Sequence, residues 1–121
     1  MKSRKLIEQV FTTGKSFVIH PFKISYTYTS TEIVLQAGFG TSVKNFARAV
    51  DRNRIKRVTR ETYRLQKDPL YESLRKSSKN LAVFFIYIGK ELPVYEDVFK
   101  KMGNIIERLI QINNESSPAN T

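Results

Sequence analysis

Between Ala47 and Leu65 the chain reads ARAVDRNRIKRVTRETYRL, with Arg48, Arg52, Arg54, Lys56, Arg57, Arg60 and Arg64 in one short run. Guanidinium forks grip phosphate oxygens in pairs and stack on bases, so this arginine-rich run suits nucleic acid better than mere solubility. Asn53 stands among these cations and both donates and accepts, which lets it reach a 2′-hydroxyl, a base edge or a hydrated ion. On a helical wheel, Arg52, Tyr63, Lys56, Lys67, Arg60, Asn53, Arg64 and Arg57 share an arc of about 140°. Ile55, Val58, Thr62 and Leu65 take an opposing arc of about 80°. One side is therefore predicted to pack on a sheet and the other to form a cationic ridge. Like charges at i,i+4 (Arg52/Lys56, Lys56/Arg60, Arg60/Arg64) each cost a helix roughly 0.2–0.5 kcal/mol, and only Glu61 borders the ridge to offset them. A plain solvated face carries mixed signs. This one predicts a polyanion.

No other constellation offers chemistry. There is no cysteine, and His20, beside Pro21, is the only histidine, so it has no partners for catalysis or metal binding. The eleven acidic residues are scattered. Asp51 and Glu61 sit in a basic field that favours local ion pairs, which speaks against a metal-dependent nuclease built from protein alone. No catalytic residue and no metal site are predicted. The net charge of +10 makes nucleic acid the first candidate partner and an anionic membrane surface the second. A membrane-surface helix needs a broad, free apolar face, and here the apolar arc is narrow and claimed by a sheet. No apolar run reaches the length of a membrane span. The start, MKSRKLIEQVF, lacks the apolar core of a secretory signal, so a cytoplasmic protein is the default.

The elements that must position the ridge follow from periodicity. Ser3 can cap a first helix carrying Leu6/Val10 and Ile7/Phe11 pairs, with Gly14 at its end. FKISYTYTS alternates Phe22, Ile24, Tyr26 and Tyr28 with polar residues and predicts a strand. TEIVLQAGFG is a second strand after a TST turn, with Gly38 and Gly40 ending it or marking a close backbone approach. The basic helix runs to Asp68-Pro69, where proline opposes continuation. NLAVFFIYIG, residues 80–89, predicts a strand buried on both faces. After Pro93, Val98, Phe99, Met102, Ile105, Ile106, Leu109 and Ile110 keep helical spacing. The order is αββαβα, with an additional strand possible near Phe17. This is an α+β fold: a small sheet of three to four strands with helices packed on it. Residues 1–112 are expected to form a single nucleic-acid-binding domain, and NNESSPANT, residues 113–121, reads as a disordered tail.

The segment AVDRNRIKRVTRETYRL resembles the signature of the bacterial ribonuclease P protein component. Arg52-Asn53-Arg54 matches that family's RNR motif, followed by Ile55-Lys56-Arg57 and Arg60-Glu61. IEQVFTTGKSF, AGFGTSVKNFARAV and YEDVFKKMGNIIERL resemble the family's first helix, its pre-motif strand and loop, and its last helix. The resemblance implies a left-handed βαβ crossover through the motif helix, a fold shared with the second domain of a small-subunit ribosomal protein. It implies a protein subunit of an endoribonuclease whose RNA subunit carries out cleavage with Mg²⁺, the protein alone being inactive and binding no cofactor itself. Its partners would be the catalytic RNA subunit and precursor tRNA, with no obligate protein partner. Lys44, Arg48, Arg52, Asn53, Arg54, Lys56, Arg57, Arg60 and Arg64 would face the RNA subunit. Phe11, Phe17, Lys23 and Tyr26 would line a cleft between the first helix and the sheet for the 5′ leader of precursor tRNA. Ser25 stands where relatives often carry a cleft tyrosine, with Tyr26 beside it and therefore on the opposite side of the strand. A general RNA-binding protein of ribosomal or chaperone type is the alternative.

Overall fold

The computed structural model describes residues 14–29, 32–41 and 44–115. The expected first helix, Phe11 included, lies outside them. Strands β1 (Lys15–Ile19), β2 (Phe22–Thr29) and β3 (Leu35–Thr41) precede helices α1 (Ala49–Gln66) and α2 (Asp68–Lys76). Strand β4 (Asn80–Tyr87) and helix α3 (Tyr95–Glu115) complete the chain. The sheet order is β1-β2-β4-β3. β1/β2 and β2/β4 are antiparallel, and β3/β4 are parallel. The additional strand near Phe17 is β1, and α+β with a four-stranded mixed sheet is the fold.

The apolar run of β4 takes an interior position because aromatic and β-branched residues on both its faces need cover. It thereby separates β2 from β3, so the TST connection joins strands that do not pair. Period-two alternation sends Phe22, Ile24 and Tyr26 of β2 and Leu81, Val83, Phe85 and Tyr87 of β4 to one face. There they form a single core with Ile55, Tyr63, Leu70, Leu74, Val98, Met102, Ile105 and Leu109 of the helices. The second face carries Ser25, Lys23, Ala82, Phe84 and Ile86. Phe84 and Ile86 are only half-buried, so β4 is less enclosed than its composition predicts.

Two helical readings need correction. Pro69 does stop α1, but it also fits the first turn of a new helix, where its missing N–H leaves no bond unmade; α2 therefore follows at once. The predicted tail starts too early, because α3 runs to Glu115. Asn113 is 1% exposed. Its Nδ2 donates to Ser73 Oγ at 2.9 Å and Ser77 Oγ at 3.2 Å. Its Oδ1 accepts from the Tyr28 hydroxyl at 3.4 Å.

Candidate nucleic-acid interface

Helix α1 buries Ile55, Thr59, Thr62 and Tyr63. This stripe is rotated by about 60° from the predicted one. Leu65, expected inside, is exposed. Tyr63, expected on the ridge, is 7% exposed. Its ring packs against the stacked pair Phe39 and Phe85, with centroids 5.6 and 5.4 Å away, an aromatic cluster that outweighs what Leu65 could bury. Burial pushes the Tyr63 hydroxyl well above the ordinary tyrosine range. The two buried threonines are satisfied by their own helix: Thr59 Oγ1 donates to the Ile55 carbonyl at 2.7 Å and Thr62 Oγ1 to that of Thr59 at 2.9 Å.

The outward side keeps the cations. Arg48, Asn53, Arg54, Arg57 and Arg60 are exposed and Lys56 is half-exposed. With Val50 and Asp51 they line an open depression of about 660 Å³. Among the described residues the ion pairs are Glu61–Arg64 at 2.6 Å and Glu72–Arg75 at 3.5 Å. Lys44, Arg48, Arg54, Lys56, Arg57 and Arg60 therefore have no carboxylate partner among the described residues.

Two predicted ridge members are otherwise engaged. Arg64 is held by Glu61, and the pairing lowers the Glu61 carboxyl below its usual range and raises the guanidinium. Arg52 is half-buried and turns back. Its Nη1 donates to the carbonyls of Phe46 at 3.0 Å and Ala47 at 2.7 Å, which fixes the loop leading into α1.

Of the described leader candidates, Phe17 and Tyr26 are brought together and Lys23 is not. Tyr26 is in the core, its ring 6.0 Å from that of Phe17, and burial raises its hydroxyl pKa. Phe17 is half-buried on the same helix-covered face, under the Arg108 guanidinium at 5.6 Å from the ring centroid. Lys23 is exposed on the opposite face. An even number of residues along a strand shares a face and an odd number does not, which separates Lys23 from Tyr26. On the Lys23 side sits Phe84, which the sequence reading missed. Its ring lies over Gly38 and Gly40: a Cβ added at Gly38 would meet ring atoms at 2.6 and 2.7 Å, and one at Gly40 at 3.0 Å. Two glycines on one face of a strand, opposite a phenylalanine in a neighbouring strand, are the signal that could have found it.

Among the described residues there is no cluster of acidic and histidine side chains able to hold a metal ion. No described helix is long and apolar enough to cross a membrane.

Fold and ridge together define a small basic α+β domain whose strongly charged surface faces outward from one helix. The Ribonuclease P family model matches residues 1–109, and the chain belongs to that family. The ribonuclease P protein component of Porphyromonas gingivalis strain W83 is 36% identical over 108 residues, covering 88% of this chain and 79% of that protein. That of Chlorobium phaeobacteroides is 29% identical over 121 residues, covering 90% and 83%. The solved RNase P protein of Thermotoga maritima superposes with a TM-score of 0.68 at 21% identity, covering 89% of this chain and 94% of that one. That of Staphylococcus aureus gives 0.60 at 20%, covering 93% and 92%. Membership ties the chain to ribonuclease P, an endoribonuclease complex, to transfer-RNA processing and to an RNA partner.

Proposed function

We propose that this chain is the protein subunit of ribonuclease P and binds the catalytic RNA subunit through the outward side of α1. The observation that carries this is the set of cations Arg48, Arg54, Lys56, Arg57 and Arg60, which line one depression along α1 without carboxylate partners among the described residues. Phosphates are the partners such a ridge lacks, and a backbone-tracking ridge is largely indifferent to sequence. The 5′ leader of precursor tRNA binds separately, on the second sheet face, where Lys23 supplies charge and Phe84 an aromatic surface for a base. Cleavage belongs to the RNA subunit with Mg²⁺. The protein supplies no catalytic group and acts in the cytoplasm without an obligate protein partner.

The test is cleavage of precursor tRNA by a cognate RNA subunit at low Mg²⁺, with and without the protein and with and without a 5′ leader. The protein alone is expected to be inactive and to stimulate the RNA subunit. Tight RNA binding without stimulation would instead indicate a general RNA-binding protein.

A further inference from the structure

Beyond Arg64, at the C-terminal end of the ridge, two aromatic rings stand on the surface. Tyr95 and Phe99 occupy successive turns of α3 and are 42% and 39% exposed. Their centroids are 6.2 Å apart and their planes 31° apart. Neither closes the core, since α3 buries Val98, Met102, Ile105, Ile106 and Leu109 instead.

The pair is anchored to the ridge helix. Gln66, the last residue of α1, donates from Nε2 to the Phe99 carbonyl at 2.9 Å and to its own helix at Thr62 at 3.2 Å. A Cβ added at Gly103 would meet Gln66 Oε1 at 2.9 Å, so the glycine leaves room for the Gln66 amide in this position. Tyr95 lies near Arg64. Lys67 and Lys100 are adjacent in sequence to Gln66 and Phe99 respectively. Glu96 adjoins Tyr95, and Glu61 is occupied by Arg64.

Lys67 and Lys100 supply charge one residue from Gln66 and Phe99, while Leu92, Val94, Glu96 and Asp97 are exposed close to Tyr95 in sequence. The two rings and the two lysines offer what unpaired bases require: a π-surface for stacking and nearby charge for the connecting phosphates. We propose that Tyr95 and Phe99 form a stacking platform for single-stranded RNA, continuing the phosphate-binding ridge past the end of α1. The inference rests on the RNA-binding reading above, but names a contact of different chemistry that reads unpaired bases rather than backbone.

The chain has no tryptophan, so Tyr95→Trp places a single indole reporter on the platform. An unstructured RNA of about twelve nucleotides, within the length range single-strand sites occupy, is expected to quench its emission, and an RNA duplex to leave it unchanged. Tyr95→Leu with Phe99→Leu keeps the surface apolar but removes the rings. Single-strand affinity should then fall roughly ten-fold while duplex affinity stays within about two-fold. Arg57→Ala, by contrast, should weaken both ligands. Equal single-strand affinity for the leucine variant, or indole emission unmoved by the single strand, overturns the platform. So does emission that depends on protein concentration without RNA, which would make this a contact between copies of the chain. Failure of the wild-type protein to stimulate its RNA subunit would sink the holoenzyme reading, while the oligonucleotide results would still decide the platform.

Discussion

Arg52 Nη1 lies 2.7 Å from the carbonyl oxygen of Ala47, so the first arginine of the RNR motif holds its own chain before it can hold anything else. A charged donor on two carbonyls stiffens the entry to α1 and fixes the segment that carries Lys44 and Arg48 relative to the ridge. Arg57, one and a half turns later, points outward without such a bond. The two arginines should fail differently. Arg52→Ala is expected to lower folding stability by about 1–2 kcal/mol, the scale of a partly exposed charged hydrogen bond, and to weaken RNA binding as well. Arg57→Ala should leave the melting temperature unchanged and weaken RNA binding by about 1–3 kcal/mol. Thermal melts beside filter-binding titrations separate the two roles, and a melting temperature unaffected by Arg52→Ala would remove the clasp.

Removing Arg52 and Arg64 from the free cations leaves Lys44, Arg48, Arg54, Lys56, Arg57 and Arg60. If these six neutralise phosphates, the log–log dependence of affinity on salt should have a slope of about −4 to −5, between single-strand and duplex behaviour. Alanine at Arg54, Arg57 or Arg60 should reduce that slope by about one each, whereas Arg64→Ala should change it little. Titrations between low and physiological salt supply the measurement. A flat response for the wild-type protein would leave the ridge without phosphate contacts.

Asn113 ties the end of α3 to Ser73 and Ser77 of the α2 region and to Tyr28 of β2. Asn113→Leu would remove the amide's bonds to the half-buried Ser73, Ser77 and Tyr28 hydroxyls and is expected to cost about 1–3 kcal/mol in a chemical-denaturation experiment. A chain ending at Ile112 should suffer at least as much.

That boundary shows where sequence reading stops. Strands with clean alternation, such as Phe22–Thr29, and the long apolar spacing of α3 were legible because burial imposes its period directly on residue type. NNESS carries no apolar period, so nothing local distinguishes a solvated asparagine from one whose amide is met by two serines about forty positions away. The wheel for α1 failed in a related manner. It ranked Leu65 above Tyr63 by hydrophobicity, whereas the stacked pair of Phe39 and Phe85 that receives Tyr63 exists only after β3 and β4 pair. The cationic surface was legible because exposure leaves charge pattern intact. The diversion of Arg52 to two carbonyls was not, since a loop's path is set by tertiary contacts.

Burial of Tyr63, Tyr26 and Tyr87 raises each hydroxyl pKa in the folded state above the value of about 10 for a free tyrosine. The unfolded chain therefore holds fewer protons than the folded one above about pH 10, and stability must fall as pH rises through that region. Below it, these groups are neutral in both states and contribute no pH dependence. Alkaline denaturation followed by circular dichroism and tyrosinate absorbance should show Tyr63 ionising only with unfolding, and Tyr26 and Tyr87 ionising later than a free tyrosine. Tyr63→Phe should flatten the alkaline slope. Early, unfolding-independent ionisation of all six tyrosines would contradict the packing.

Phe84 and Tyr26 stand on opposite sides of the sheet, and that geometry separates a leader contact from a core residue. The Phe84 ring rests on Gly38 and Gly40. Phe84→Ala should therefore weaken binding of leader-bearing precursor by about 1–3 kcal/mol, the range for a lost base stack, and leave mature tRNA binding unchanged. Tyr26→Ala opens a cavity beside Phe17 and should lower stability and affect both RNAs alike. Gly38→Val, which pushes a side chain into the space of the Phe84 ring, should mimic Phe84→Ala on leader-bearing substrate. Equal effects of Phe84→Ala on precursor and mature tRNA would assign the ring to packing and move the leader elsewhere.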